Sequence, residues 1–194
     1  MRLLGTRAQL VGVGDRCDTH SLFEMFTEPA REAIGRAQDE AREMGHETVQ
    51  VEHLLLGLFS DQAGIPGRVF ADFGLTVERV RGQVRERLGV APSSPPEARV
   101  RFSPEAKEAL RSANQIALGA PATEHMLIVI VRRGEGGACE ILRALGTDPH
   151  RIRFETKKRA WPASFPGPGG RATGELRVVG SVPLESLTEL DFGE

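Results

Sequence analysis

Cysteine, lysine and long apolar runs are scarce in this chain of 194 residues. Its two cysteines, Cys17 and Cys139, are too few and too far apart for a metal motif or a disulfide framework, which fits a reducing cytosol. An apolar helical pattern surrounds Cys139 and predicts a small core residue there. No window approaches the ~20 apolar residues of a membrane span. These absences predict a soluble, cytoplasmic protein.

Charge of one sign is also lacking, because 25 basic residues face 27 acidic ones and the net charge is −2. This balance argues against a surface built as a whole for nucleic acid or anionic lipid, although a local basic patch stays possible. The sequence contains no Gly-x-x-x-x-Gly-Lys-Ser/Thr phosphate loop and no recurring set of nucleophile, base and orienting group. We therefore predict no enzyme, no cofactor and no metal site.

The most informative feature that is present is an internal repeat. The segment Val51-Glu52-His53-Leu54-Leu55-Leu56-Gly57-Leu58 returns 72 residues later as Thr123-Glu124-His125-Met126-Leu127-Ile128-Val129-Ile130. Upstream, Phe26-Thr27 matches Phe102-Ser103 with a displacement of 76, because the second copy is four residues shorter between these landmarks. A repeat of this size predicts two similar blocks that pack together and present related surfaces.

Helix signals recur in both blocks. A capping hydroxyl and an early proline open the first helix of each copy, at Thr27 and at Ser103, and Gly45 is placed to end the first one. The other helices of the first block are predicted at 50–60, 65–73 and 76–88. The other helices of the second block are predicted at 122–133, at 135–145 and from 148 onward.

Composition sets the predicted boundaries. Consecutive prolines mark a linker between the blocks, and a Pro- and Gly-rich run follows Trp161. We predict an N-terminal tail at 1–22, a double-repeat domain at 23–161, and a linker with a C-terminal tail at 162–194. Within the domain, we predict repeat one at 23–90, the linker at 91–101 and repeat two at 102–161.

The repeated motifs carry a family resemblance. Phe26-Thr27-Glu28-Pro29-Ala30, Glu52-His53-Leu54-Leu55-Leu56-Gly57-Leu58 and their second copies resemble the N-terminal repeat domain of Clp unfoldases of the ClpC type, over about residues 23–160. The resemblance implies an all-α domain of two pseudosymmetric four-helix repeats, here with flexible terminal tails. Full-length members of that family carry ATPase modules, so the missing phosphate loop predicts a free-standing recognition domain.

The resemblance also implies a pair of binding sites. In ClpC-type relatives this domain recruits adaptors and binds proteins marked by phosphorylated arginine, and the residues that match the paired pockets are Thr27 with Glu52 and Ser103 with Glu124. A helix N-terminus offers N–H groups and a hydroxyl to a phosphate, and a carboxylate accepts two guanidinium hydrogen bonds. The alternative for all four is structural, as helix caps and as carboxylates at the positive end of a helix dipole.

Two further features invite a chemical interpretation. His53 and His125 each follow a glutamate, but neither is followed by a second histidine four residues on, so we predict packing roles and no zinc helix. Gly134-Glu135-Gly136-Gly137 precedes a predicted helix but follows no strand. We predict that it is an ordinary turn.

The function that these observations predict is a non-enzymatic recognition protein of the Clp system. It would bind adaptors, phosphoarginine-marked proteins or small cyclic peptides, and would act as a decoy or modulator of a Clp unfoldase. The alternative is a DNA-binding regulator that uses the tails and the basic fourth helices, although we predict mostly solvated faces there. The basic residues of those helices are Arg79, Arg81, Arg85, Arg87, Arg151, Arg153, Lys157, Lys158 and Arg159.

Overall fold

The computed structural model describes residues 23–91, 100–132 and 134–161. The predicted tails and most of the predicted linker lie outside these ranges, so the predicted domain boundaries stay predictions. The first block contains α1 (Glu28–Glu43), α2 (Val51–Gly57), α3 (Ile65–Asp72) and α4 (Val77–Leu88). The second block contains α5 (Pro104–Ile116), α6 (Thr123–Ile130), α7 (Gly137–Ala144) and α8 (Pro149–Ala160).

The predicted fold class is confirmed, because the two blocks form successive sets of four helices in the same order. The largest differences are at α6, which ends at Ile130 where the pattern predicted helix to 133, and at α2, which continues as a 3-10 turn over Leu58–Ser60. Within the described ranges, none of the helices combines the length and the hydropathy needed to cross a bilayer.

Local signals account for where the helices begin and end. Proline occupies the first turn of α1, α5 and α8, where its missing N–H has no helical partner to lose. Gly45 adopts φ of 75° after α1, and the next amide, of His46, donates to the carbonyl of Ala41 at 2.8 Å. This left-handed termination satisfies a carbonyl at the helix end and favours glycine.

Two short strands join the repeats. Strand β1 (Thr48–Val49), just before α2, pairs in parallel with β2 (Arg101–Phe102), just before α5, with Thr48 opposite Arg101. The sequence analysis did not predict these strands, because a two-residue strand has no periodicity of its own. They hold the beginning of α5 in the second repeat against the segment that leads into α2 in the first.

Helix α2 lies at the centre of the core and is buried along its whole length. Gly57 at its C-terminal end lies against α1, where a Cβ would overlap the carbonyl oxygen of Ala33. At its other end, His53 contacts His46 just beyond the C-terminus of α1. Helices α1 and α2 are therefore antiparallel, and they approach closely because residue 57 has no side chain.

A buried ion pair links α1 to α4. Glu40 of α1 is 1% exposed, and the guanidinium of Arg81 on α4 donates to both of its oxygens, at 2.9 and 2.5 Å. The paired carboxylate raises the pKa of Arg81 above its ordinary value through this hydrogen bond. The prediction that Arg81 lies on a solvated face is therefore wrong. Its charge compensates a carboxylate that would be unfavourable in the core alone.

Cys139 of α7 confirms the expectation of a core residue, because it is fully buried and its thiol donates to the carbonyl of Ile130 at 3.6 Å. Burial raises the pKa of the thiol to about 11. The group is therefore a neutral thiol at physiological pH and packs as a small apolar side chain.

Candidate functional site

Thr27 and Ser103 occupy equivalent places, each preceding the first helix of its repeat with nearly the same backbone angles. The Ser103 hydroxyl caps α5 by accepting from the amide of Ala106 at 3.1 Å. The Thr27 hydroxyl is buried, and no hydrogen-bond partner is found for it in the part of the chain that the structure describes. The N-termini of α1 and α5, here called the helix mouths, therefore have the same backbone conformation. They differ in the hydrogen bonding of their hydroxyls.

The backbone around both mouths links one repeat to the other. The Thr27 amide donates to the carbonyl of Pro121 at 2.9 Å, and the Ser103 amide donates to the carbonyl of Val49 at 2.9 Å. Val49 and Pro121 are equivalent positions of the two copies, each three residues before the motif glutamate. Each first helix thus begins beside the segment that leads into the buried helix of the other repeat.

This arrangement corrects the predicted pairing of the site residues. Because α1 and α2 are antiparallel, Glu52 lies by the C-terminal half of α1, about 20 Å along the helix from Thr27. The predicted pairing of Thr27 with Glu52 is therefore wrong, and the contact of Ser103 with Val49 argues in the same way against the pairing of Ser103 with Glu124. The backbone contacts associate Thr27 with the start of α6, and so with Glu124, and Ser103 with the start of α2, and so with Glu52. The assignment of the four residues to ligand binding stays a prediction.

Glu52 is 6% exposed and already engaged. Its Oε1 atom lies 3.4 Å from Nε of Arg87 on α4, and the same guanidinium donates to Glu140 on α7. Arg87 is exposed, as expected of a solvated face, and it also lies between two carboxylates of different repeats. No local sequence signal marks this residue, because its partners are 35 and 53 residues away.

Glu124 differs from its counterpart in the first repeat. Its side chain is 21% exposed, and its neighbour His125 lies with Nδ1 4.0 Å from the Oε1 atom. That Nδ1 accepts a hydrogen bond from the amide of Ala122 at 3.2 Å, and burial lowers the pKa of His125 against the opposing effect of Glu124. The histidine is therefore neutral near pH 7, and it does not neutralise the glutamate.

The histidines have packing roles, as predicted. His53 is fully buried, accepts from the amide of Gln50 at Nδ1 and contacts Nδ1 of His46 through Nε2 at 2.9 Å. The His125 ring lies nearly perpendicular to the Trp161 ring, with an interplanar angle of 83° and centroids 5.5 Å apart. Within the described ranges, no group of three or more His, Cys, Asp or Glu side chains is arranged to hold a metal ion.

Several arginines of the basic fourth helices have partners within the protein. On α4, Arg79 donates to the carbonyl of Gly74 at 3.1 Å, in addition to the contacts of Arg81 and Arg87. On α8, Arg159 pairs with Asp72 of α3. These contacts hold fourth helices against neighbouring elements, which reduces the positive charge left for an external polyanion.

The architecture has counterparts among known proteins. The protein-family model described as "Clp repeat (R) N-terminal domain" matches residues 25–121. The chloroplastic chaperone protein ClpC1 of Oryza sativa subsp. japonica is 34% identical over an alignment of 171 residues, and the match covers 84% of this chain and 18% of that protein. The crystal structure of the N-terminal domain of ClpD from Arabidopsis thaliana matches with a TM-score of 0.57 and 25% identity, over 71% of this chain and 96% of that one.

A third counterpart was solved with a ligand. The complex of a ClpV N-domain with a VipB peptide matches with a TM-score of 0.54 and 18% identity, over 75% of this chain and 91% of that chain, and at this identity it shows the fold alone. The chain spans less than a fifth of the length of the first curated relatives that it matches. The matched repeat and the structural likeness agree with the two sets of four helices, and the chain belongs to the Clp N-terminal repeat domain family.

Proposed function

We propose that this protein is a non-enzymatic recognition domain of the Clp system that binds adaptors or arginine-phosphorylated proteins at the N-terminus of α1. The observation that carries the proposal is the mouth of α1. There, a buried threonine hydroxyl with no partner in the described part of the chain lies beside the segment that leads to Glu124. Ligand capture there, away from an unfoldase, would make the protein a decoy or modulator.

The chemistry of phosphoarginine suits this arrangement. Its phosphoryl group is attached to the guanidinium itself, so one ligand brings a negative and a positive group to neighbouring partners. The Thr27 hydroxyl and the first free amides of α1 would receive the phosphate, since they carry the positive end of the helix dipole. The Glu124 carboxylate, with no charged histidine on it, would accept the guanidinium hydrogen bonds. Small cyclic peptides are a further ligand class for the same surface.

Isothermal titration with phosphoarginine tests the proposal. We expect Glu124→Gln to weaken binding about tenfold, equivalent to ~1.4 kcal/mol, because it removes the charge that attracts the guanidinium. Thr27→Val is expected to weaken phosphoarginine binding severalfold, because it removes the hydroxyl that would contact the phosphate. The affinity for free arginine, which has no phosphate, is expected to be the same in this variant as in the wild type. Glu32→Gln, an exposed carboxylate on α1, serves as the matched control and is expected to bind as the wild type does. Unchanged affinity in both site variants would reject the α1 site.

A DNA-binding regulator remains the alternative from the sequence. The described part of the chain favours it less, because Arg79, Arg81 and Arg159 already have partners within the protein. A gel shift across a salt series distinguishes the two functions, since binding to phosphates weakens steeply as salt is added. The predicted cytoplasmic location and the predicted free-standing state stay predictions.

A further inference from the structure

The guanidinium of Arg87 lies against the carboxylate of Glu52. Its Nε atom lies 3.4 Å from Oε1 of Glu52, and its Nη1 atom donates to Glu140. The Glu52 side chain is 7% exposed beneath it, whereas Arg87 itself is 38% exposed. A guanidinium held by carboxylates from both repeats closes this site from the outside.

The start of α7 is shaped for this contact. A Cβ atom at Gly137 would overlap Oε1 of Glu52 and approach Nε of Arg87 to 2.8 Å. The repeat displacement of 72 makes Ile65 the equivalent of Gly137 in the first copy. The second copy therefore has a glycine where the first has a branched side chain, and the missing side chain leaves room for the glutamate and its arginine.

The equivalent arginine of the second repeat does not close the Glu124 site. Arg159 matches Arg87 by the same displacement, but its guanidinium is turned to Asp72, and it also lies 3.9 Å from Glu155. Where α7 offers Glu140 to Arg87, the equivalent position of α3 is Arg68, which would repel a second guanidinium. No arginine or lysine contacts Glu124 in the described ranges.

We propose that Arg87 is a built-in occupant of the Glu52 site, so that of the two motif glutamates only Glu124 is vacant, and the domain binds one guanidinium ligand per chain. A tethered side chain competes at a high effective concentration, and a free ligand must displace it from Glu140 as well as from Glu52. The inference rests on the proposed function for the ligand, and on Arg87 and Gly137 for the asymmetry.

The stoichiometry of phosphoarginine binding tests the inference. We expect one site per chain in the wild type, two sites in Arg87→Ala, and one again in Arg87→Ala combined with Glu52→Gln. Arg85→Ala, an exposed arginine of the same helix, is the matched control and is expected to keep one site. Two sites in the wild type, or a single site in a folded Arg87→Ala variant, would overturn the inference. Arg87→Gln, which keeps a donor to Glu52, replaces Arg87→Ala if that variant does not fold.

A second measurement needs no phosphoarginine and separates this inference from the proposed function. Ethylguanidinium at millimolar concentration is expected to raise the Tm of Arg87→Ala by about 1 °C over the same concentration of ethylammonium, because it refills the guanidinium position. The wild type and the double variant with Glu52→Gln are expected to show no such difference. Failure of phosphoarginine to bind any variant, together with this rescue, would reject the proposed ligand and support the occupied site. Absence of the rescue would overturn the occupied site.

Discussion

The buried histidine of α2 makes the stability of the domain depend on pH. Burial, and to a smaller extent the neighbouring His46, lowers the pKa of His53 from 6.5 to about 4, whereas Glu40 opposes the shift. The hydrogen bonds explain why the neutral form is required. Nδ1 of His53 accepts from the amide of Gln50, so Nε2 carries the proton that is donated to His46, whose own Nε2 then donates to the carbonyl of Gly89 at 3.2 Å.

The sign and size of the effect follow from the two pKa values. The folded state has the lower pKa, so the unfolded chain binds more protons between pH 6.5 and about 4, and the stabilisation is complete above pH 6.5 and lost as the pH falls towards 4. For His53 alone, the loss between about pH 7.5 and about pH 5 amounts to ~2 kcal/mol of the free energy of unfolding. The side chain is fully buried, so solvent does not screen the effect.

Urea unfolding followed by circular dichroism at these two pH values measures the loss. We expect His53→Gln to be less stable than the wild type at neutral pH but to lose ~2 kcal/mol less on acidification, because it removes the titrating group. The exposed His150 supplies the control, and His150→Gln is expected to follow the wild-type pH dependence. Parallel losses in the wild type and His53→Gln would refute the assignment of this pH dependence to His53.

Three further stability predictions use the same unfolding assay at neutral pH. Gly57→Ala is expected to lower the free energy of unfolding by about 2 kcal/mol, because its Cβ would overlap the backbone of α1. Gly82→Ala in α4, where a Cβ would meet open space, is expected to raise it by about 0.5 kcal/mol. Equal effects of the two variants would contradict the close approach of α1 and α2. Arg81→Met removes both guanidinium hydrogen bonds of the buried Glu40 and leaves it only Arg36, whose Nε lies 3.8 Å away, so we expect a cost of about 3 kcal/mol. A surface-like loss under 1 kcal/mol would show that the pair is unimportant. Ser103→Ala removes the hydroxyl that caps α5 and is expected to lower stability by about 1 kcal/mol. Thr27→Val removes a hydroxyl without a described partner and is expected to leave stability nearly unchanged. A larger loss in Thr27→Val than in Ser103→Ala would contradict the roles given to the two hydroxyls.

The candidate site shows which of its features could be predicted from the sequence. The repeated motif located Thr27, Ser103, Glu52 and Glu124 at the starts of helices, and the structure places them there. Their pairing was wrong, because the sequence does not reveal whether two repeats pack side by side or exchange their contacts. The cross-repeat hydrogen bonds of Thr27 and Ser103 join segments that are more than fifty residues apart, and such contacts have no local pattern.

The buried charges illustrate the same limit. Glu40 follows Ala37 by three residues and so falls on the apolar face of α1, a signal that would have marked it as buried. Its partner Arg81 carries no equivalent sign, because a fourth helix rich in arginine has several candidates and only the tertiary structure brings one of them to Glu40. Arg87 is selected in the same way, by the position of α7 from the other repeat.

The sequence by itself determined the order of the helices and most of their ends, because caps, prolines, glycines and apolar periodicity act within a few residues of one another. The duplication also determined that the two repeats contain four helices in the same order. Only the tertiary structure decided which carboxylate lies beside which helix mouth, and that Glu52 is covered by Arg87 while Glu124 is not. These outcomes depend on contacts between distant segments, and it is the packing of the two repeats against each other that creates them.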